Sequence, residues 1–485
     1  MHLSEVRIHP TPLECFEPLI GPERAAALYA AAKMARQVLA GRVVFVVNST
    51  AMGGGVAEML QPLLAYIRGA GIDIRWLVIQ GNEDFFRITK RLHNRFHGAR
   101  GDGGPLGAAE RATYETVMRE NALEFAALLA PRDIVLLHDP QTAGLVPLLQ
   151  RSGAIVFWRS HVGTELWNDQ VRSAWSFIRP YIEQAAAVIL SRSSYAPDWL
   201  RRYVVIPPSI DPFSVKNAPM EEQTIRAILC HVGILRGKPE VPAVFTHQDG
   251  TPGRIDHCAD LLRAGPPPPA DVPLIVQVSR WDRLKDMMGV MQGFARRAPM
   301  LQGAHLALVG PNVSGVADDP EGAMVLNECT AAWRALPHAI RQRIQLVCLP
   351  MIDRDENAAI VNALQRHATI IVQKSLAEGF GLTVAEAMWK SRPIIGSAVG
   401  GIEEQLVDGE SGLLIDPPTD LDAFGAALER LLSDRALAER LGQNAHQRVL
   451  EFFLGSRHLI QYGELFVRTV EHARPVTESA SVPGP

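Results

Sequence analysis

The sequence predicts an α/β chain with two doubly wound parallel sheets facing a cleft. Three observations predict it. Short β-branched runs alternate with longer stretches of helical periodicity. That rhythm stops near residue 212 and resumes near 273. Between the two stretches lies punctuation rich in proline, including GPPPPADVP, which can continue neither a helix nor a central strand.

The first layer opens with RVVFVV (42–47), a glycine-rich turn and the segment VAEMLQPLLAYIRGAG. There Val56, Met59, Leu60, Leu63, Leu64 and Ile67 recur at helical spacing. IDIRWLVI (72–79), DIVLLH (133–138), AIVFWRS (154–160), AAVILS (186–191) and YVVIPP (203–208) follow. Continuous apolar runs suit strands covered on both faces of a parallel sheet. The second layer reads LIVQVSR (274–280), HLALVG (305–310), IQLVCLP (344–350), ATIIVQKS (368–375), PIIGSA (393–398) and GLLIDP (412–417), then a helical tail from Asp420 to about Ala473. The expected organisation is a first domain over 1–211, a linker with an insertion over 212–272 and a second domain over 273–450. A helix over 451–473 then packs back on the first domain, ahead of a disordered tail over 474–485.

The 485 residues suffice for two cores, and 47% apolar with 21% charged residues are ordinary globular proportions. A net charge of −4 offers no basic excess to neutralise phosphates, so bulk nucleic-acid binding is not expected. No apolar run reaches about 18 residues, so no integral membrane segment is expected. The first residues lack the basic start and apolar run of a signal peptide. Cys15, Cys230, Cys258, Cys329 and Cys348 are scattered and odd in number, as suits reduced thiols and a cytoplasmic location.

Ligands of such sheets bind beyond the carboxyl ends of the strands, so the residues there are the candidates. In NSTAMGGGVAEML (48–60), Gly53, Gly54 and Gly55 let backbone amides approach an anion or a sugar hydroxyl at a helix start; a tight turn without a ligand is the plain alternative. In VSRWDRLKD (278–286), Arg280 and Lys285 can neutralise a diphosphate and stabilise it as a leaving group, or lie in a solvated charged loop. SLAEGFGLTVAEAMW (375–389) is the most informative. A helix beginning near Leu382 places Glu386 about one turn in, and a carboxylate suits a vicinal diol. The amides of Gly379, Phe380, Gly381 and Leu382, just after Glu378, can hold phosphate oxygens. The alternative is that Glu378 caps the turn and Glu386 is solvated. HDPQTAG (138–144) and WRSHVGTELWND (158–169) offer a strand-end histidine and Asp139, which can orient an acceptor hydroxyl. Cys230-His231 and His257-Cys258 lack the usual zinc spacing, so no metal site is expected. No G-x-G-x-x-G follows a strand with an acidic residue downstream, which disfavours a dinucleotide-dependent dehydrogenase.

Together these residues resemble the retaining glycosyltransferases of the GT-B fold, with two Rossmann-like domains. The segments NSTAMGGGVAEML, FFRITKRLHN (85–94), HDPQTAG, WRSHVG, PPSIDPFSVKN (207–217), QVSRWDRLKD and QKSLAEGFGLTVAEAMWKSRPIIGS resemble more narrowly the trehalose synthases of the glycosyltransferring type, through most of 40–450. The resemblance implies that His161, Arg280, Lys285 and Glu378 are catalytic. Arg280 and Lys285 would hold the donor diphosphate and Glu386 the ribose. Glu378 with the amides of Gly379 to Leu382 would hold the transferred hexose, His161 would contact it near its reacting end, and Gly53 to Gly55 would close over the phosphate. Asp139, His93 and Asn94 would stand on the acceptor side. The implied reaction is reversible glucosyl transfer from a nucleoside-diphosphate-glucose to glucose, retaining configuration and requiring no cofactor or metal. Trehalose phosphorolysis, transfer to another acceptor and catalytically silent nucleotide-sugar binding stay open, as does a homodimer. The stretch from Cys230 to Val272 is longer than the trehalose-synthase joint, which leaves the acceptor open.

Overall fold

The computed structural model describes residues 3–51, 55–247, 249–313 and 320–472. The expected disordered tail lies outside the described residues. The chain divides into two compact units.

The first unit runs to Val162, continues from Leu166 to Pro207 and resumes at Gly455. Its strands are β1 (Leu3–Val6), β2 (Val44–Asn48), β3 (Ile74–Ile79), β4 (Ile134–His138), β5 (Ile155–Ser160), β6 (Val188–Leu190) and β7 (Tyr203–Val205). They form one sheet in the order β1-β3-β2-β4-β5-β6-β7. All neighbours are parallel except β1, which runs antiparallel to β3 with Leu3 opposite Ile79. The apolar runs are continuous because each strand is covered twice. Phe45, Val47 and Trp158 enter one core, while Val44, Val46 and Phe157 enter the core on the opposite face. Six of these strands stand where the sequence predicts them. β1 was not expected, since four residues with two exposed give too short a pattern.

The helix Gly455–His472 belongs to this unit although it ends the described chain. Tyr462, Leu465, Phe466 and Val470 recur at helical spacing and enter the same core as Val44, Val46 and Phe157.

The second unit comprises Gly163–Glu165 and Pro208–Leu454. Its strands are β8 (Val244–Thr246), β9 (Pro252–Arg254), β10 (Asp260–Leu262), β11 (Leu274–Val278), β12 (His305–Pro311), β13 (Ile344–Leu349), β14 (Ile370–Gln373), β15 (Ile394–Ser397) and β16 (Leu413–Ile415). β8 and β9 pair as a hairpin, and the other seven form a sheet in the order β10-β13-β12-β11-β14-β15-β16. The stretch 212–272, expected as a linker with an insertion, folds inside this unit. Its helix Glu222–His231 packs on the helix Arg354–His367. β10 adds an antiparallel edge strand to β13, as β1 does to β3, and covers an edge that would otherwise offer unpaired backbone. Proline clusters hide these short strands from a periodicity reading.

All five cysteines are free thiols. Among the described residues no helix is long and apolar enough to cross a membrane.

Candidate active site

In the second unit two strand-end loops meet. Gln277 on β11 is fully buried, and its side-chain amide serves both loops. Its Nε2 donates to the Lys285 carbonyl at 2.7 Å, and its Oε1 accepts from the Lys374 backbone N–H at 3.2 Å. Leu376 N–H donates to the Leu284 carbonyl at 2.7 Å, a backbone stitch between the same loops. The fully buried Lys374 ammonium pairs with Asp286, whose other oxygen accepts from the Gly289 N–H at 3.1 Å. A Cβ at Gly289 would lie 2.1 Å from Asp286 Oδ2, so a side chain there would push the carboxylate out of its place beside Lys374.

This scaffold brings Lys285 to Glu378. Lys285 Nζ donates to Glu378 Oε2 at 2.5 Å, and Ser375 Oγ donates to the same oxygen at 3.3 Å. Arg280 lies nearer solvent, with a guanidinium nitrogen 3.5 Å from Asp282 Oδ2. Asp282 in turn accepts from the Leu284 N–H at 2.8 Å and fixes the short helical turn Arg283–Lys285.

After Glu378 the backbone turns through Gly379, Phe380 and Gly381 into the helix Leu382–Trp389. Gly381 has φ 84°, a left-handed conformation that favours glycine, and a Cβ there would lie 3.1 Å from Glu378 Cγ. Phe380 is buried and its carbonyl accepts from Gln405 Nε2 at 2.5 Å, as does that of Gly381 at 3.3 Å. The Gly381 carbonyl also accepts from the Val384 N–H at 2.9 Å, which fixes the turn to the first residues of the helix. Glu386 is only 4% exposed, which removes the solvated alternative. Its Oε1 stands 3.6 Å from Lys216 Nζ.

In the first unit the carboxyl ends of β4 and β5 form a second cluster. The backbone N–H of His161 donates to Asp139 Oδ1 at 2.7 Å. Asp139 holds φ 64°, with its N–H on the Arg159 carbonyl and its own carbonyl accepting from Trp158 Nε1 at 3.0 Å. Burial raises the Asp139 carboxyl to about 7, against the opposing pull of the His161 N–H and Arg159. His138 Nδ1 and His161 Nε2 lie 2.9 Å apart with their rings stacked, so one donates to the other. Burial, with the Arg159 charge nearby, holds both rings well below the ordinary histidine range. His161 is therefore a neutral hydrogen-bonding group at neutral pH.

Arg159 is fully buried and donates to His458 Nε2 at 2.9 Å, to the Ile206 carbonyl at 2.9 Å and to the Tyr462 hydroxyl. A guanidinium only donates, so His458 Nε2 must carry the lone pair and its proton sits on Nδ1. Trp158 is fully buried and packs into the core of the first unit.

The remaining expected residues are dispersed. His93 and Asn94 stand on the helix Glu83–Phe96; the His93 ring packs 5.0 Å from that of His97, and the Asn94 carbonyl accepts from His97 and Ala99. Gly53 and Gly54 lie outside the described residues, and Gly55 opens the helix Gly55–Gly69. Among the described residues no group of three metal-ligating side chains gathers. The side chains that the sequence reading missed are Lys216, Lys374, Asp286, Arg159, His458 and Tyr462. Lys216, Arg159, Asp286 and Lys374 lie within segments that resemble the family, PPSIDPFSVKN, WRSHVG, QVSRWDRLKD and QKSLAEGFGLTVAEAMWKSRPIIGS, and that signal could have found them.

Residues 46–197 match the family described as "Trehalose synthase, N-terminal domain", and residues 260–448 match "Glycosyl transferases group 1". A trehalose synthase of Pyrococcus horikoshii is 33% identical over 452 residues, covering 93% of this chain and 94% of that one. A trehalose phosphorylase of Pleurotus sajor-caju is 26% identical over 442 residues, covering 83% of this chain and 54% of that one. Among solved structures, a UDP-forming α,α-trehalose-phosphate synthase of Burkholderia vietnamiensis superposes with a TM-score of 0.65 at 15% identity, over 90% of this chain and 98% of that one. That likeness, with the two parallel sheets, identifies the fold as GT-B.

Proposed function

The chain belongs to the trehalose synthase family of glycosyltransferases, and we propose that it transfers glucose reversibly from a nucleoside-diphosphate-glucose to free glucose, forming α,α-trehalose. The observation that carries this reading is the convergence of Lys285 and Glu378 beside the glycine turn and the buried Glu386. Cations, exposed amides and a carboxylate for a diol are what a nucleotide-sugar requires. The UDP-forming neighbour supports a nucleotide donor.

In the proposed reaction Arg280 and Lys285 bind the diphosphate. Glu386 accepts the ribose hydroxyls, and Glu378 with the amides of Gly379 to Leu382 accepts and donates to the hexose. His161, held neutral, hydrogen-bonds the hexose near C1. Gly53 to Gly55 serve the phosphate, and Asp139, His93 and Asn94 orient the acceptor. The bond from C1 to the phosphate oxygen breaks while a bond from C1 to the acceptor oxygen forms on the same face. The acceptor proton passes to the leaving phosphate oxygen. Negative charge grows on the diphosphate in the transition state, and Lys285 and Arg280 stabilise it more there than in the ground state. No step in this scheme needs a metal or cofactor.

The phosphorylase relative supports a second reading, phosphorolysis of trehalose. The test is nucleoside diphosphate release from UDP-, ADP- and GDP-glucose with and without glucose, beside trehalose with inorganic phosphate alone. Glucose-dependent release with trehalose formed is expected; glucose 1-phosphate formed without nucleotide would replace this reading with phosphorolysis.

A further inference from the structure

Glu386 is the buried carboxylate on which donor recognition depends in the reading above, and it comes with a partner from a distant part of the chain. Lys216 Nζ lies 3.6 Å from Glu386 Oε1. Lys216 sits on the loop just after Pro208, in the segment SIDPFSVKN, and its side chain is 20% exposed against 6% for that of Glu386.

The loop is built rigidly. Asn217, the next residue, is buried and folds the loop on itself, its Nδ2 donating to the Asp211 carbonyl at 2.9 Å. Its Oδ1 accepts from Lys390 Nζ at 2.8 Å, and its backbone carbonyl accepts from Trp389 Nε1 at 3.0 Å and from Arg366 at 2.9 Å. Asn362 Nδ2 donates to the Val215 carbonyl at 2.9 Å. The loop is thus tied on both sides of Lys216 to the helices Arg354–His367 and Leu382–Trp389, the second of which carries Glu386. Lys390 follows that helix and donates to the Glu386 carbonyl at 3.2 Å. Desolvation drives the buried Lys390 down to about 7, against the opposing pull of the Glu386 charge. Lys216, more exposed, is the ammonium positioned at the carboxylate itself.

A carboxylate so buried is costly to keep charged without a cation. It must be charged to accept two hydroxyl hydrogens, and an ammonium at 3.6 Å favours that charge without a tight hydrogen bond to the carboxylate. We infer that Lys216 is a positioning residue for donor recognition, its ammonium holding the Glu386 carboxylate charged and aimed at the ribose diol of the nucleoside diphosphate. This rests on the reading of Glu386 as the ribose-binding group.

The test uses the full chain, Lys216→Met, Lys216→Arg and Glu386→Gln, with the matched ribo and 2′-deoxyribo forms of the preferred donor among UDP-, ADP- and GDP-glucose. The wild type should favour the ribo donor by about 10- to 100-fold in kcat/KM, the range for a hydrogen bond to a charged group. Lys216→Met should raise KM for the ribo donor, leave kcat within about threefold, and bring the ribo-to-deoxy ratio towards one. Lys216→Arg should restore most of the ratio. Isothermal titration of the two nucleoside diphosphates gives the same ratio without turnover. Loss of packing alone would weaken both donors equally, so a Lys216→Met protein that keeps the wild-type ratio overturns the inference. A wild-type ratio near one, unchanged in Glu386→Gln, instead overturns the ribose reading beneath it.

Discussion

Lys285 Nζ and Glu378 Oε2 meet at 2.5 Å and join the loop after β11 to the loop after β14. The pair is preformed, so a ligand that takes the ammonium must share it with this carboxylate. In the proposed reaction the lysine serves the leaving diphosphate while Glu378 serves the hexose, and each orients the other. Lys285→Ala should lower kcat by about 10²- to 10³-fold, the effect of removing one preorganised contact to developing charge. Steady-state kinetics with saturating donor checks this; a change in KM alone would assign Lys285 to ground-state binding.

Gly381 should tolerate no side chain. Its φ of 84° and the 3.1 Å approach of a Cβ to Glu378 Cγ act together. Gly381→Ala should cost about 1–2 kcal/mol of stability for the left-handed backbone. It should also weaken donor binding, because Glu378 must shift. Urea unfolding and donor KM, measured on the same preparation, separate the two effects.

Asp139 gives an expected pH dependence. Its carboxyl is raised by burial to about 7, so it gains its charge as pH passes upward through that value. If the charged form orients the acceptor, kcat/KM for glucose rises through about pH 7 in the wild type. Asp139→Asn should remove that limb and lower the high-pH plateau by about 10²-fold or more, as loss of a positioned acid–base group does. The pH–rate profiles of the two proteins check it.

The segment around the β8–β9 hairpin is held by two histidine–carboxylate pairs. His247 Nδ1 lies 2.8 Å from Asp355 Oδ2, and His257 Nδ1 lies 2.6 Å from Glu356 Oε2. Hydrogen bonds to these carboxylates raise both histidines above their ordinary value. A raised folded value means that the stabilisation is complete below the unfolded histidine value of 6.5 and is lost as pH rises through the folded value. Proteolytic cutting within 242–258 should therefore speed up from pH 6 to pH 9 beyond the protease's own pH dependence. His247→Gln with His257→Gln should flatten the change.

Most of the fold was legible because parallel strands buried on both faces print unbroken apolar runs, and β2 to β7 and β11 to β16 lie where those runs are. The edges were not. β1 and β10 are short strands with exposed residues, and each becomes a strand only by pairing with a neighbour far along the chain. The same limit applies to the site. Glu378, Glu386 and Lys285 lie in strand-end motifs that can be read locally. The meeting of Arg159 with His458, 299 positions later, is a product of tertiary packing that no local pattern encodes. Lys216 lay within a recognised segment, yet its role depends on Glu386, 170 positions away (386 − 216).

The central claim is retaining transfer of glucose from a nucleotide to glucose, and the most direct measurement is product identity. The enzyme is given nucleoside-diphosphate-[1-¹³C]glucose with unlabelled glucose, and the products are followed by NMR alongside nucleoside diphosphate release. The account predicts one α,α-trehalose, labelled in one ring, for each nucleoside diphosphate released. A β-linked disaccharide, or release of diphosphate that does not depend on glucose, would contradict it.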